Sequence, residues 1–120
     1  MRPTVIKGLA PDCRTNQEEI FGPVVTVTPF KNEEDLLQMA NGVQYGLSAS
    51  VWTKDIQRAH RLAKKIKTGT VWINDWMKRD LRVPFGGMKA SGVGREGGES
   101  SLKFFTEAQT VSITFSESSP

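Results

Sequence analysis

The chain has 120 residues, 38% of them hydrophobic and 24% charged, which excludes a disordered tail and confines it to one domain or a piece of one. The formal net charge of +3 is too small to diagnose a polyanionic partner, and the single cysteine, Cys13, excludes an internal disulfide framework and a cysteine-based metal cage. No apolar run approaches the ~20 residues that span a bilayer, and the first residues lack the layout of a secretory signal, so a reducing, cytoplasmic setting with no membrane is the expectation.

Residues 24–30, Val-Val-Thr-Val-Thr-Pro-Phe, are rich in β-branched side chains and predict a strand. Asn32 suits a helix N-cap, and Glu33, Glu34 and Asp35 behind it complement the positive end of a helix dipole. Leu36, Leu37, Ala40 and Val43 recur on one helical face and Gly42 marks a stop, which predicts a helix near 33–41. Residues 47–52 read as a second strand. Thr53 is placed to cap a helix over 54–67, with Ile56, Ala59, Leu62, Ala63 and Ile66 as its apolar stripe and Gly69 closing it. Residues 70–74 read as a third strand. The order β-α-β-α-β with short connections predicts an α/β arrangement of three parallel strands joined by right-handed crossovers.

The second helix is basic: from Lys54 to Lys67, six basic residues stand against one acid, Asp55. Those charges lie opposite the apolar stripe, and three lysines fall in the last turns, where the dipole favours cations. They read as a solvated face, with no nucleic-acid partner. Residues 75–98 are glycine-rich and without period, a long irregular segment of the kind that often carries function. A helix over 99–107 follows, with Leu102, Phe104 and Phe105 turned inward. Val111, Ile113 and Phe115 then alternate with polar residues, predicting a last strand whose open edge favours self-association. The organisation expected is a main unit over 1–108, a strand over 109–115 and a disordered tail over 116–120.

Chemistry is sparse. Gly92-Val93-Gly94-Arg95-Glu96-Gly97 matches G-x-G-x-x-G, but a dinucleotide fingerprint needs a strand immediately before it and an acid about twenty residues on. Here the motif follows a loop. Cys13 and the sole histidine, His60, support no nucleophilic triad within the chain. They read as a free thiol and a surface helix residue.

Two stretches are harder to set aside: Glu18-Glu19-Ile20-Phe21-Gly22-Pro23, and Pro84-Phe85-Gly86-Gly87-Met88-Lys89-Ala90-Ser91-Gly92-Val93-Gly94-Arg95-Glu96. With Ala40-Asn41, Tyr45-Gly46-Leu47 and Gly69-Thr70-Val71-Trp72-Ile73-Asn74 they stand in the order and spacing of the aldehyde dehydrogenase superfamily. The chain resembles the C-terminal portion of that family from about Pro3 to Phe115. The resemblance implies a parallel βαβαβ piece of the catalytic domain, then a glycine-rich loop, a helix and a C-terminal oligomerisation strand.

By the same resemblance, Glu19 accepts hydrogen bonds from the nicotinamide ribose of NAD (or NADP), and Phe21 lies against the nicotinamide. Phe85 walls the aldehyde tunnel, and Asn74 and the loop after it reach the same tunnel. Glu96 takes part in a proton path or, alternatively, in an ion pair with a nearby base. Backbone carbonyls of Lys89 and Gly92 match a potassium site described for some members. Phe21 and Phe85 should then face one cavity with Glu19 at its rim. Arg95 and Glu107 should pair, because a glutamate at a helix C-terminus needs a compensating cation.

Loop residues 74–84 resemble members that oxidise 2-hydroxymuconic and 2-aminomuconic semialdehydes, whose substrates carry a distal carboxylate. Arg79 or Arg82 would bind it as a bidentate fork, the alternative being a solvent-facing loop arginine. The family's nucleophilic cysteine, its general-base glutamate and its pyrophosphate-binding glycines lie upstream of E-x-F-G-P and are absent from this chain. Cys13, six residues before Glu19, does not take the nucleophile's role. The chain is therefore expected to be a fragment, a split gene product or a truncated reading frame, inactive alone. It would join the upstream remainder of the same enzyme in a dimer or tetramer that oxidises a small aldehyde to its acid. The alternative is a non-catalytic, stand-alone binding or assembly module.

Overall fold

A computed structural model describes residues 1–115; the tail expected over 116–120 lies outside the described residues. The first strand, β1 (Thr4–Lys7), pairs in parallel with β2 (Val24–Val27), in the register Thr4 to Val24 and Lys7 to Val27. Between them lies the one-turn helix α1 (Arg14–Gln17). The Thr-Val-Ile run of β1 is too short to show a period, so the sequence did not announce it as a strand.

Helix α2 (Glu33–Asn41) forms where predicted. The Asn32 side chain accepts from the Asp35 N–H at 2.9 Å, satisfying one orphan donor of the N-terminus, and three acids occupy the first turn, where they complement the dipole. A two-residue strand, β3 (Tyr45–Gly46), is followed by β4 (Ser48–Val51), helix α3 (Ile56–Lys65) and β5 (Thr70–Ile73). β4 and β5 pair in parallel, Ser48 opposite Thr70 and Val51 opposite Ile73. The cap of α3 is Asp55, not Thr53: the Asp55 side chain accepts from Arg58 N–H at 3.0 Å, while the Thr53 hydroxyl accepts from Asp55 N–H. α3 ends at Ile66 with extended backbone, before Gly69 is reached.

The core is small and sits where α3 lies on the β4–β5 pair. Ala59, Leu62 and Ile66 from α3 and Trp72 from β5 are its buried apolar residues. The stripe predicted for α3 is therefore right at three positions. Ile56 opens the helix and is 66% exposed.

The three central strands do not form one ladder among the described residues. β2 pairs with β1 and β4 with β5, and no pairing joins the two sheets. Sequence-adjacent strands are spatial neighbours only about two-thirds of the time, and here β2 finds its partner upstream.

The segment 75–98 is also more regular than its glycines suggest. β6 (Met88–Lys89) pairs antiparallel with β3, and Phe85 and Glu96 form an isolated antiparallel bridge. Gly69 and Gly86 let two backbones cross there: a Cβ on Gly69 would lie 1.5 Å from the Gly86 carbonyl oxygen.

Helix α4 (Gly98–Phe105) forms, but Leu102, Phe104 and Phe105 are exposed rather than inward. Residues 110–115 join no ladder and are exposed; their alternation is a strand pattern without a neighbour to pair with. The chain exposes 10156 Å², where a folded monomer of 13.3 kDa exposes roughly 6500 Å². Its radius of gyration is 22.0 Å, against about 14 Å for a compact domain of this length. Much of the apolar surface is therefore left exposed.

Candidate functional site

The turn between α1 and β2 presents two adjacent glutamates with different surroundings. Arg14 grips Glu18 through two hydrogen bonds of 2.7 and 2.9 Å, and that contact holds the Glu18 carboxyl below its ordinary pKa. Glu19 makes no ion pair among the described residues and lines an open cleft of about 1130 Å³ that also meets Phe30, Leu36, Ser48 and Ser50. Phe21, two residues on, is 98% exposed. Short turns, Gly22 N–H to Ile20 O at 2.7 Å and Val24 N–H to Gly22 O at 2.8 Å, lead the chain from this pair into β2.

The second cluster is built on the loop after β5. Asn74 takes a left-handed φ of 51°, and its amide donates to Thr53 O and accepts from Thr53 N–H, each at 2.8 Å. The side chain thus continues the β4–β5 ladder by one rung. Its amide is engaged at both ends and serves the loop's shape. The Ser50 hydroxyl donates to Asp75 O, and the Trp72 indole N–H donates to Lys78 O at 2.8 Å. Trp76 leans on Trp72 with centroids 5.8 Å apart.

These bonds deliver Arg79 to Phe85 and Glu96. Phe85 N–H donates to Glu96 O and Glu96 N–H to Phe85 O, both at 2.8 Å. The Arg79 guanidinium sits 4.1 Å over the Phe85 ring and donates to Glu96 Oε1 at 2.8 Å. Both charged side chains remain partly exposed, 38% and 64%. The ion pair is therefore worth at most about 1 kcal/mol and the cation–π contact about as much. Such a contact is weak enough to be exchanged.

Of the two alternatives for Glu96, the ion pair with a base is present, and Arg79 is the base. Arg82 is held otherwise: its guanidinium donates to the Asp80 carboxylate at 2.6 to 3.1 Å, which raises the Arg82 pKa and lowers that of Asp80.

One sequence expectation changes. Arg95 does not pair with Glu107. It donates to Gly87 O at 2.8 Å and to Gly94 O at 2.6 Å, because the glycine loop brings unpartnered carbonyls within its reach, and α4 ends before Glu107. The cleft that takes Glu19 is lined by neither Phe21 nor Phe85.

The carbonyl of Lys89, one of the two assigned to a potassium ion, accepts a long contact of 3.5 Å from Gly92 N–H. Among the described residues no group of three or more His, Cys, Asp or Glu side chains could hold a metal. Sequence reasoning missed Ser50 and Trp72. A Trp among β-branched residues in a short strand is a usable signal, since a buried indole N–H needs an acceptor.

No base contacts the Cys13 thiol among the described residues, so the arrangement offers ring stacking, carboxylate acceptors and an exchangeable arginine, without a nucleophile. None of the described helices is long and apolar enough to cross a membrane.

Comparison with known proteins shows what the chain is similar to. The chain is 55% identical over 113 residues to a 2-aminomuconic semialdehyde dehydrogenase of Danio rerio, covering 94% of this chain and 23% of the relative. It is 48% identical over 113 residues to a 2-hydroxymuconic semialdehyde dehydrogenase of Pseudomonas putida, again covering 94% and 23%. It superposes with a TM-score of 0.85 and 48% identity on an NAD+ complex of an aldehyde dehydrogenase from Bacillus cereus, over 88% of this chain and 22% of that one. The chain thus spans under a quarter of the length of these relatives. The sequence profile of the aldehyde dehydrogenase family matches residues 1–111, and the chain belongs to that family.

Proposed function

We propose that this chain supplies the cofactor clamp, part of the aldehyde tunnel and an oligomer contact to an NAD-dependent aldehyde dehydrogenase acting on a muconic-type semialdehyde. The observation that carries the reading is Phe21, 98% exposed two residues after a carboxylate without a cation partner. Leaving such a ring in water forgoes about 1.5–3 kcal/mol of burial, which a flat ligand would recover. Glu19 suits the two hydroxyls of a ribose, because an ionised carboxylate is an acceptor only and has two oxygens. Phe21 suits the face of a nicotinamide. The bound cofactor supplies the hydride acceptor. NADP is the alternative, since the same two residues meet the same ribose and ring.

Phe85 forms a wall of the aldehyde tunnel. Arg79 receives the distal carboxylate of the substrate, which takes the place of Glu96 on the guanidinium. Arg82, committed to Asp80, is the weaker candidate. Asn74 acts through the loop it shapes. Glu96 is available as a proton acceptor once Arg79 has turned to the substrate. The carbonyls of Lys89 and Gly92 are proposed donors to a potassium ion. Residues 109–115 pair with a neighbouring subunit in a dimer or tetramer, and a cytoplasmic setting accords with the single free thiol.

The test is a chimera: the Pseudomonas putida relative with its matching segment replaced by this chain. It should oxidise 2-hydroxymuconic semialdehyde with NAD+, and Glu19→Gln should slow hydride transfer or raise the KM for NAD+. A chimera that assembles but reduces no NAD+ would overturn this reading in favour of a non-catalytic assembly module.

A further inference from the structure

Lys89 adopts a φ of 56°, a left-handed conformation that a residue with a side chain keeps only where its surroundings hold it. Its Nζ donates to Asn41 O at 3.0 Å and to Val43 O at 2.8 Å. Asn41 is the last residue of α2, a helix with three acids in its first turn and no basic residue in its last. The negative end of α2 therefore lacks a cation of its own, and Lys89 brings one from 48 residues downstream.

The backbone around Lys89 is stitched to the same stretch. Ala90 N–H donates to Gln44 O at 3.0 Å, Gly46 N–H donates to the Ser91 hydroxyl at 2.9 Å, and β6 pairs with β3. The Asn41 side chain meanwhile ties the end of α3, donating to Lys65 O at 2.9 Å and accepting from Lys67 N–H at 2.8 Å. The glycine-rich loop thus has two anchors. The Phe85–Glu96 bridge closes its base, and the Lys89 ammonium pins the turn within it to the C-terminus of α2. An apolar side chain at 89 would leave the Asn41 and Val43 carbonyls without this partner, and the loop would hang on its remaining bonds.

We propose that Lys89 is a positioning residue for the aldehyde site: its ammonium, seated on carbonyls at and just beyond the C-terminus of α2, sets the loop that holds Phe85 and Glu96. This rests on the function proposed above for Phe85.

The experiment uses the chimera with Lys89→Met and Lys89→Arg. Lys89→Met should raise the KM for the semialdehyde by about tenfold, since small misplacements of a substrate wall are felt strongly, while the KM for NAD+ holds. A guanidinium reaches two carbonyls, so Lys89→Arg should recover most of the loss. Hydrogen exchange should show lost protection of the Phe85 and Glu96 amides in Lys89→Met and retained protection in Lys89→Arg. If Lys89→Met does not fold, Lys89→Gln, a donor without charge, replaces it with the same expectation.

An unchanged semialdehyde KM, an arginine variant no better than the methionine one, or unchanged exchange at Phe85 and Glu96 each overturns the proposal. Should the unsubstituted chimera fail to oxidise the semialdehyde, the proposed function falls, while the exchange comparison still decides whether Lys89 holds the loop.

Discussion

Gly69→Ala tests the backbone crossing that places Phe85. A Cβ at position 69 would lie 1.5 Å from Gly86 O, 2.7 Å from the Gly86 carbonyl carbon and 3.3 Å from Leu47 O. All three neighbours are backbone, so no side chain can swing away, and real Cβ contacts essentially never fall below 3.0 Å. The crossing must open by at least as much again as the gap now present. Gly86 is bonded to Phe85, so that ring, the proposed tunnel wall, moves with it, and the Gly69 N–H to Gly46 O bond of 3.1 Å is strained as well.

Displacements near 1 Å in a substrate-positioning element cost on the order of 100-fold in rate, or about 2.7 kcal/mol of transition-state stabilisation. The kcat/KM of the chimera for the semialdehyde should fall by at least that factor, with a lower thermal midpoint. Gly8→Ala is the control. Its φ is +84° with nothing within 4 Å, so only the left-handed penalty of about 1–2 kcal/mol applies, and it should touch stability alone. A Gly69→Ala chimera indistinguishable from its parent in kcat/KM would refute the crossing as the device that sets Phe85.

Arg79→Met in the chimera should raise the KM for a carboxylate-bearing semialdehyde and leave that for an uncharged aldehyde of similar length near its parent value; equal losses on both substrates would remove Arg79 from carboxylate recognition. Acid stability should report Glu33, which accepts from Arg61 and Arg58 at 2.7 to 2.8 Å. Arg61 first and Arg58 second hold its pKa at about 2 instead of 4.5. A depressed carboxylate stabilises the fold above its unfolded value, and that contribution is lost as pH falls from about 4.5 through about 2. The urea midpoint should decline over that window, and Glu33→Gln should flatten the decline. The 120-residue chain alone should self-associate through Val111, Ile113 and Phe115, all exposed and on an unpaired stretch; sedimentation showing a monomer at high concentration would contradict this.

Local order was legible in the amino-acid sequence because local order is made by neighbours. Asn32 caps α2 through Asp35, three residues on, and the spacing of Ala59, Leu62 and Ile66 placed the buried face of α3. The error at the α3 cap, Asp55 in place of Thr53, is a choice between two oxygens that both bond in the same turn. The motifs E-x-F-G-P and P-F-G-G-x-K-x-S-G-x-G-R-E identified the family, since their spacing records a site.

Tertiary structure decided the rest. No pattern within 24–51 says that β2 prefers β1 to β4, because either partner satisfies the same backbone groups. Phe85 and Glu96 could be named singly, yet their bridge, and Arg79 stacked on one and bonded to the other from 17 residues away, exist only once the loop is closed. Lys89 read as a carbonyl donor in a motif until its ammonium met α2, 48 residues upstream. Hydrogen bonds at that separation carry no period in the chain, and their partners are chosen by which carbonyls the folded backbone leaves unsatisfied.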